Sequence, residues 1–407
     1  MTPSIHLEWP GRAGAFAEPH PGVLPPLSEL HGAADPHAPQ SLLIHQDNLA
    51  ALSALTETHT GRIDLIYSDP PFATGQRFAH RATLGETRHE TPAFNDAFSG
   101  GLSGWLDVMT PRLRLMHRLL SDTGALYLHL DTTTAHHARV LLDEIFGPEC
   151  FQREIVWRIG WISGFKSSAQ NWIRNHDTIL YYVKTPGRAT FNKAFLPHAP
   201  GYLRRDGKPP KGRGIPLDDV WNGHAGDVLD SIQIMSLSGE KTGYPTQKNE
   251  NLVARIVEAS SRPGDLVADF FVGSGTTAVV AHRLGRRFLG VDVGGPALAL
   301  ARRRLMEAGA AFAVRAPFAP PTAADPYVVT RAGGSIRIDG GSAEGSVPLD
   351  AVLVDPHWDG QVLRVAGHTL RGRKGLGLDA VTLPGGAPGA ACVQLVDVAG
   401  GTRRVVV

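Results

Sequence analysis

Cysteine is scarce. The 407 residues contain 2, Cys150 and Cys392, and with no close partner for either they build neither a disulfide framework nor a cysteine-based zinc site. Reduced thiols are expected. Long apolar runs are missing as well: no stretch reaches the roughly 18 uninterrupted apolar residues that a membrane-spanning helix needs. The first residues also lack the basic head and apolar stretch of a secretory signal. A cytoplasmic protein with no membrane partner is the expectation. Charge of one sign is not in excess either, since 40 Lys and Arg against 39 Asp and Glu leave a net +1, a balance that does not announce a nucleic-acid binder. The 18 histidines show no His-Glu-x-x-His arrangement and no recurrent ligand spacing, so no metal site is expected.

What is present is locally uneven. Between Lys184 and Arg213 eight basic residues (Lys184, Arg188, Lys193, Arg204, Arg205, Lys208, Lys211 and Arg213) face one acid, Asp206. From Pro216 to Glu240 the sign reverses, with Asp218, Asp219, Asp227, Asp230 and Glu240 and no Lys or Arg. On charge alone this is equally a solvated loop or a binding stripe.

Residues 1–40 carry eight prolines and little periodicity, and read as an irregular arm. From Ser41 the pattern alternates strand and helix: Ser41 to His45, Asn48 to Leu55, Ile63 to Tyr67, Trp105 to Leu120, Ala125 to Leu130 and Thr134 to Phe146. Strand-like text at Glu154 to Arg158 and Thr178 to Val183 precedes the basic stretch. The alternation then resumes through Asn249 to Ser260, Leu266 to Phe270, Thr276 to Leu284, Phe288 to Val291 and Pro296 to Met306. This order predicts an α/β, doubly wound, mostly parallel sheet. Beyond about Pro317, short apolar runs between Gly and Pro clusters suit a small C-terminal all-β unit. Asp355-Pro356-His357-Trp358, in that unit, reads as a turn. The divisions expected are an arm at 1–40, two halves of one catalytic domain at 41–185 and 244–310, an inserted segment at 186–243, and the β unit at 318–407.

Two motifs carry chemistry. Asp69-Pro70-Pro71-Phe72 follows the strand Ile63 to Tyr67 directly, where parallel sheets present their ligands. Two prolines stiffen the backbone and remove N–H donors, so Asp69 and a fixed carbonyl offer two acceptors able to grip both hydrogens of an exocyclic amine, with Phe72 free to stack on its ring. Taken alone, Asp-Pro is also an ordinary turn opener. The second motif runs from Asp269 through Phe271, Gly273, Ser274, Gly275 and Thr276. Its glycines allow a tight turn at a helix N-terminus, and Asp292, 17 residues after Gly275 at the end of the next strand, suits a ribose contact. The alternative is a glycine turn that merely packs helix on strand.

With both motifs present, the chain from about Ser41 to Met306 resembles the S-adenosylmethionine-dependent amino-group (adenine-N6 or cytosine-N4) DNA methyltransferases, in the order of their beta class. The resemblance implies that Asp69 to Phe72 form the catalytic loop and Phe271 to Gly275 the cofactor loop. It implies an adenosine contact for Asp47, and methionine-side contacts for Thr246 and Lys248 within Tyr244-Pro245-Thr246-Gln247-Lys248-Asn249, which departs from the family's His-Pro-Thr-Gln-Lys-Pro at both ends. It makes 186–243 a target-recognition segment and the eight basic residues its DNA contacts. Asp at the first loop position is usual for adenine, whereas Ser is commoner for cytosine, so a site-specific N6-adenine enzyme that flips its base out of duplex DNA is expected. A cytosine-N4 enzyme, a non-catalytic DNA-binding subunit and an RNA or protein-amide substrate stay open. So do a homodimer and a cognate restriction endonuclease as partners.

Overall fold

A computed structural model describes residues 5–32, 41–84, 87–159, 170–222, 227, 240–317, 327–332, 335–340, 348–371, 381–382 and 390–407. One sheet of eleven strands dominates the described residues, and its strands are numbered here in chain order. They are β1 (Leu27–His31), β2 (Leu42–His45), β3 (Ile63–Ser68), β4 (Leu120–Leu130), β5 (Phe151–Arg158) and β6 (His176–Val183), followed by β7 (Val220–Trp221), β8 (Leu266–Asp269), β9 (Arg287–Asp292), β10 (Phe312–Arg315) and β11 (Leu363–Val365). Across the sheet the order is β7-β5-β6-β4-β3-β8-β9-β2-β10-β1-β11.

The centre, β4-β3-β8-β9-β2-β10, is parallel throughout. Strands buried on both faces read as continuous apolar runs rather than alternating ones, and β8 (Leu266 to Asp269) is buried at every position. The faces are covered by α1 (Asn48–His59), α2 (Leu102–Leu119), α3 (Ala135–Phe146), α4 (Glu250–Ser260), α5 (Thr276–Arg283) and α6 (Gly295–Glu307). In α2, Leu106, Met109, Leu113 and Met116 recur at helical spacing and all are buried, which turns one stripe of the helix to the sheet. Asp47 caps α1 by accepting from the Leu49 and Ala50 amides at 2.9 and 3.2 Å, and Asn249 caps α4 in the same way through Asn251 and Leu252.

Four features depart from the sequence reading. The N-terminal arm is not irregular throughout, because β1 enters the large sheet antiparallel to β10. Arg77–Leu84 and Thr87–Asn95 form an antiparallel hairpin where no strand was expected. The inserted segment holds a short ladder, Phe195–Leu196 with Ile215–Pro216, and its β7 rejoins the large sheet beside β5. The C-terminal residues do build antiparallel sheets, one of four strands (Gly367–Leu370, Leu349–Asp355, Cys392–Asp397 and Thr402–Val406) and one of three. Their β11, however, pairs with β1 of the large sheet. A buried carboxylate fastens that joint: Glu29 accepts from Arg302 and Gln394, both at 2.6 Å, and lies 2.7 Å from His31 Nε2. Asp355 ends its strand in a turn, accepting from the amides of His357 and Arg364. No helix among the described residues is long and apolar enough to cross a membrane.

Candidate active site

Because β3, β8, β9 and β2 are parallel neighbours, the residues after their C-terminal ends emerge side by side at one edge of the sheet. Asp69 follows β3, the glycine loop follows β8, Asp292 ends β9 and Asp47 follows β2. All open onto a single cavity of about 390 Å3. Of the residues expected at the site, Asp69, Pro70, Pro71 and Phe72 line it, as do Asp47, Thr246, Lys248, Asp269, Phe271, Gly273, Ser274, Thr276 and Asp292. Gly275 does not. At φ 81°, a Cβ there would meet Ala301 of α6 at 2.8 Å, so this glycine serves the close packing of α5 on α6.

The catalytic-loop candidate is pinned from several directions. Trp105, fully buried, donates its indole N–H to the Pro71 carbonyl at 2.8 Å. The chain then turns through Ala73, a non-glycine residue at φ 62°. Buried Asp96 catches that turn, accepting from the amides of Ala73 and Thr74 at 2.8 and 3.0 Å and from the Thr74 hydroxyl. Beneath the loop lies His129, fully buried, its ring stacked on Phe72 with centroids 6.1 Å apart. Burial pushes the Tyr67 phenol far up, and its hydroxyl is hydrogen-bonded to His129 Nδ1 at 2.8 Å. The ring's other nitrogen faces Asp177 Oδ2 at 3.4 Å.

Asp69 Oδ2 accepts from Lys248 Nζ at 2.5 Å, and that ammonium lies 5.3 Å from the Phe72 ring centroid. On the facing wall, the Asp292 carboxylate accepts from the Gly273 and Gly294 amides at 2.9 and 2.8 Å, and burial shifts it upward. Asp269 accepts from the Phe271 amide at 3.0 Å and the Thr277 hydroxyl at 2.6 Å. Burial nevertheless pushes its carboxyl up to about 7. Gly273 sits at φ 49° with the Tyr244 ring so near that a Cβ would come within 3.2 Å of it. Thr246 is held at φ 58°, a left-handed conformation that costs a threonine about 1–3 kcal/mol and marks a constrained segment.

Sequence reasoning missed Asp96, Trp105, Asn48 and Arg112, all on the cavity or its support. Arg112 bridges Asn48 Oδ1 and Asp47 Oδ2. It also missed Phe78 and Phe94 of the hairpin, whose rings stack at 4.7 Å on the cavity wall. Asp96 follows Asn95 in a two-residue turn signal, which was legible; the target of an indole N–H was not.

The basic residues are not gathered. Lys184 follows β6, whose last residue Val183 pairs with Ala125 midway along β4, whereas Thr178 pairs with Leu130 at the catalytic edge. Lys184 and Arg188 therefore stand at the edge of the sheet away from the cavity. There Lys184 donates to the His117 carbonyl at 2.6 Å, and Arg188 pairs with Asp122 at 3.0 Å. Lys193, Arg205, Lys208, Lys211 and Arg213 are exposed, and Arg204 pairs with Asp206.

The sequence pattern of the DNA methylase family matches residues 63–302, more than half of the chain. The chain belongs to the N6/N4 DNA methylase family. Its cofactor is S-adenosylmethionine. Among its relatives, the type II methyltransferase M.EcaI of Enterobacter cloacae is 31% identical over 61% of this chain and 66% of that one. The DNA adenine methyltransferase YhdJ of Escherichia coli K12 is 27% identical over 65% of this chain and 82% of that one. The solved M1.HpyAVI-SAM complex superposes with a TM-score of 0.42 and 19% identity over 65% of this chain and 98% of that one.

The residues present fit the group. The cavity combines an acid at a strand end, a glycine turn on its wall, and a lysine for a carboxylate. Asp292 and Asp47 would hold the adenosine end, and the 244–249 segment the amino-acid end.

Proposed function

We propose that this methylase transfers the methyl group to the N6 amine of adenine in duplex DNA, with Asp69, Pro70 and Phe72 holding the target. The observation that carries the reading is the opening of the Asp69 loop and the Gly273 loop onto one cavity. When bound, the cofactor supplies an activated methyl on a sulfonium, so the work left to the protein is positioning and exclusion of water. Asp69 and the Pro70 carbonyl take the two amine hydrogens, turning the nitrogen lone pair toward the methyl. Phe72, backed by His129, stacks on the base. The transfer is a direct displacement with no covalent enzyme intermediate. The proton that the amine loses leaves through Asp69.

A paired adenine is out of reach of such a cavity, so the nucleotide must be extruded, at a few kcal/mol. Phosphate contacts from the exposed part of the inserted segment, Arg204 to Arg213, offset that cost. Adenine is favoured over cytosine by the aspartate at position 69 and by the name of the relative YhdJ.

Incubation with duplex DNA and radiolabelled S-adenosylmethionine, followed by digestion to nucleosides, should put label in N6-methyladenine. Label in N4-methylcytosine would overturn the choice of base. Asp69→Ala should abolish transfer while the protein still binds S-adenosylhomocysteine; residual transfer near the wild-type rate would remove Asp69 from the mechanism.

A further inference from the structure

We infer that Lys248 is a charge switch that keeps the target-amine subsite shut until the cofactor is in place. The inference rests on the reading above, in which Asp69 receives the amine.

Asp69 has two oxygens. Oδ1 is sealed from solvent and has no hydrogen-bond partner among the described residues. Oδ2 is held by Lys248 Nζ at 2.5 Å, with both side chains largely covered (11% and 15% exposed). The same ammonium lies against Phe72 at 5.3 Å. A lysine thus occupies both features that a target base needs, the acceptor oxygen and the aromatic ring. An ammonium on a carboxylate adds the attraction of a full positive charge to the hydrogen bond that a neutral amine could make there, so adenine does not displace it unaided.

Lys248 needs another anion before it can leave, and the carboxylates around it already have partners; Asp177, which feels its charge, is held by Arg174 and faces His129. Asp47 is committed to Arg112 and two helix amides, and Asp96 to the turn after the catalytic loop. Asp269 is committed to Phe271 and Thr277, and Asp292 to Gly273 and Gly294. The anion must come with the ligand, and S-adenosylmethionine carries one, the carboxylate of its amino-acid end. Lys248 is seated to exchange one carboxylate for the other, since its backbone already adjoins the cofactor wall: its carbonyl lies 3.4 Å from the Thr276 hydroxyl. The consequence is an order of binding in which the cofactor enters first and frees Asp69 for the base.

The test is a double-mutant cycle read by calorimetry with two probes, S-adenosylhomocysteine and methylthioadenosine, which lacks the amino-acid carboxylate. Asp69→Asn releases Lys248 and should tighten S-adenosylhomocysteine binding about three- to tenfold, leaving methylthioadenosine unchanged. Lys248→Met should weaken S-adenosylhomocysteine alone, and in that background Asp69→Asn should have no effect. A variant that fails to fold would lose methylthioadenosine as well, so the second probe controls for it. The switch is overturned if Asp69→Asn leaves S-adenosylhomocysteine binding unchanged, tightens both probes equally, or acts additively with Lys248→Met. Absence of binding of either probe to the wild-type protein would sink the methyltransferase reading instead.

Discussion

Asp269 is a buried carboxylate with no ion-pair partner among the described residues, at the mouth of the glycine loop, and its burial makes a measurable statement about stability. Its carboxyl is pushed from the ordinary 3.8 to about 7 by desolvation, against the pull of the Thr277 hydroxyl and the Phe271 amide. A folded-state value above the unfolded one means that the folded protein binds the proton more tightly. The stability contribution is therefore complete below the unfolded value, declines as pH rises toward 7, and is flat above it. At 1.36 kcal/mol per pH unit the full span is worth about 4 kcal/mol. Asp269→Asn removes the charge while keeping an oxygen for the Phe271 amide and offering an N–H to Thr277. Other partly buried acids with raised values, Asp64, Asp292 and Asp397, are common to both proteins and cancel in the comparison. Urea unfolding followed by circular dichroism at about pH 5 and about pH 8 should show the variant gaining on the wild type by roughly 2–3 kcal/mol between the two. An equal difference at both pH values would refute the claim that Asp269 is buried with a raised value.

Other outcomes follow from the supports of the catalytic loop and from the inserted segment. Trp105→Phe removes the N–H donated to Pro71 and should cost about 1–2 kcal/mol of stability in the same unfolding assay, with a larger proportional loss in kcat than in cofactor affinity. Ala73→Gly relieves a left-handed non-glycine residue and should raise stability by up to about 1 kcal/mol; a decrease would mean that the turn is not strained. Arg205→Ala and Lys208→Ala should each weaken duplex binding on every sequence alike and reduce the salt slope by about one. Arg188→Ala, at the opposite edge of the sheet, should leave the slope as it is.

The parts of the site that were legible in the sequence are those in which one residue type has few uses. Two prolines after a buried strand stiffen a loop wherever they occur, and an aspartate seventeen residues beyond a glycine turn suits few positions in an α/β sheet. What stayed illegible depends on partners far away in the chain. The strand Leu27–His31 looks irregular because its neighbours, Phe312–Arg315 and Leu363–Val365, lie nearly three hundred residues or more downstream, and no local periodicity announces them. The hairpin at Arg77–Leu84 and Thr87–Asn95 mixes charges with aromatics, so its strands show no apolar run. Gly275 has a second use that a nucleotide-type loop does not announce: its missing Cβ makes room for Ala301.

The inserted segment shows why charge had to be weighed with topology. It leaves the sheet at Lys184, beside Gly124, and returns at Val220–Trp221 beside Val156 and Trp157. Trp157 pairs in turn with Asp177, one residue before the Thr178 that faces Leu130 at the catalytic edge. The segment therefore starts at the edge away from the cavity and ends at the edge that holds it, and its charges differ in consequence along its length. Those at the start are spent on the fold, on the His117 carbonyl and on Asp122. On the proposed reading the phosphate contacts therefore fall to the exposed later part, Arg204 to Arg213, whereas Lys184 and Arg188 stand at the edge away from Asp69.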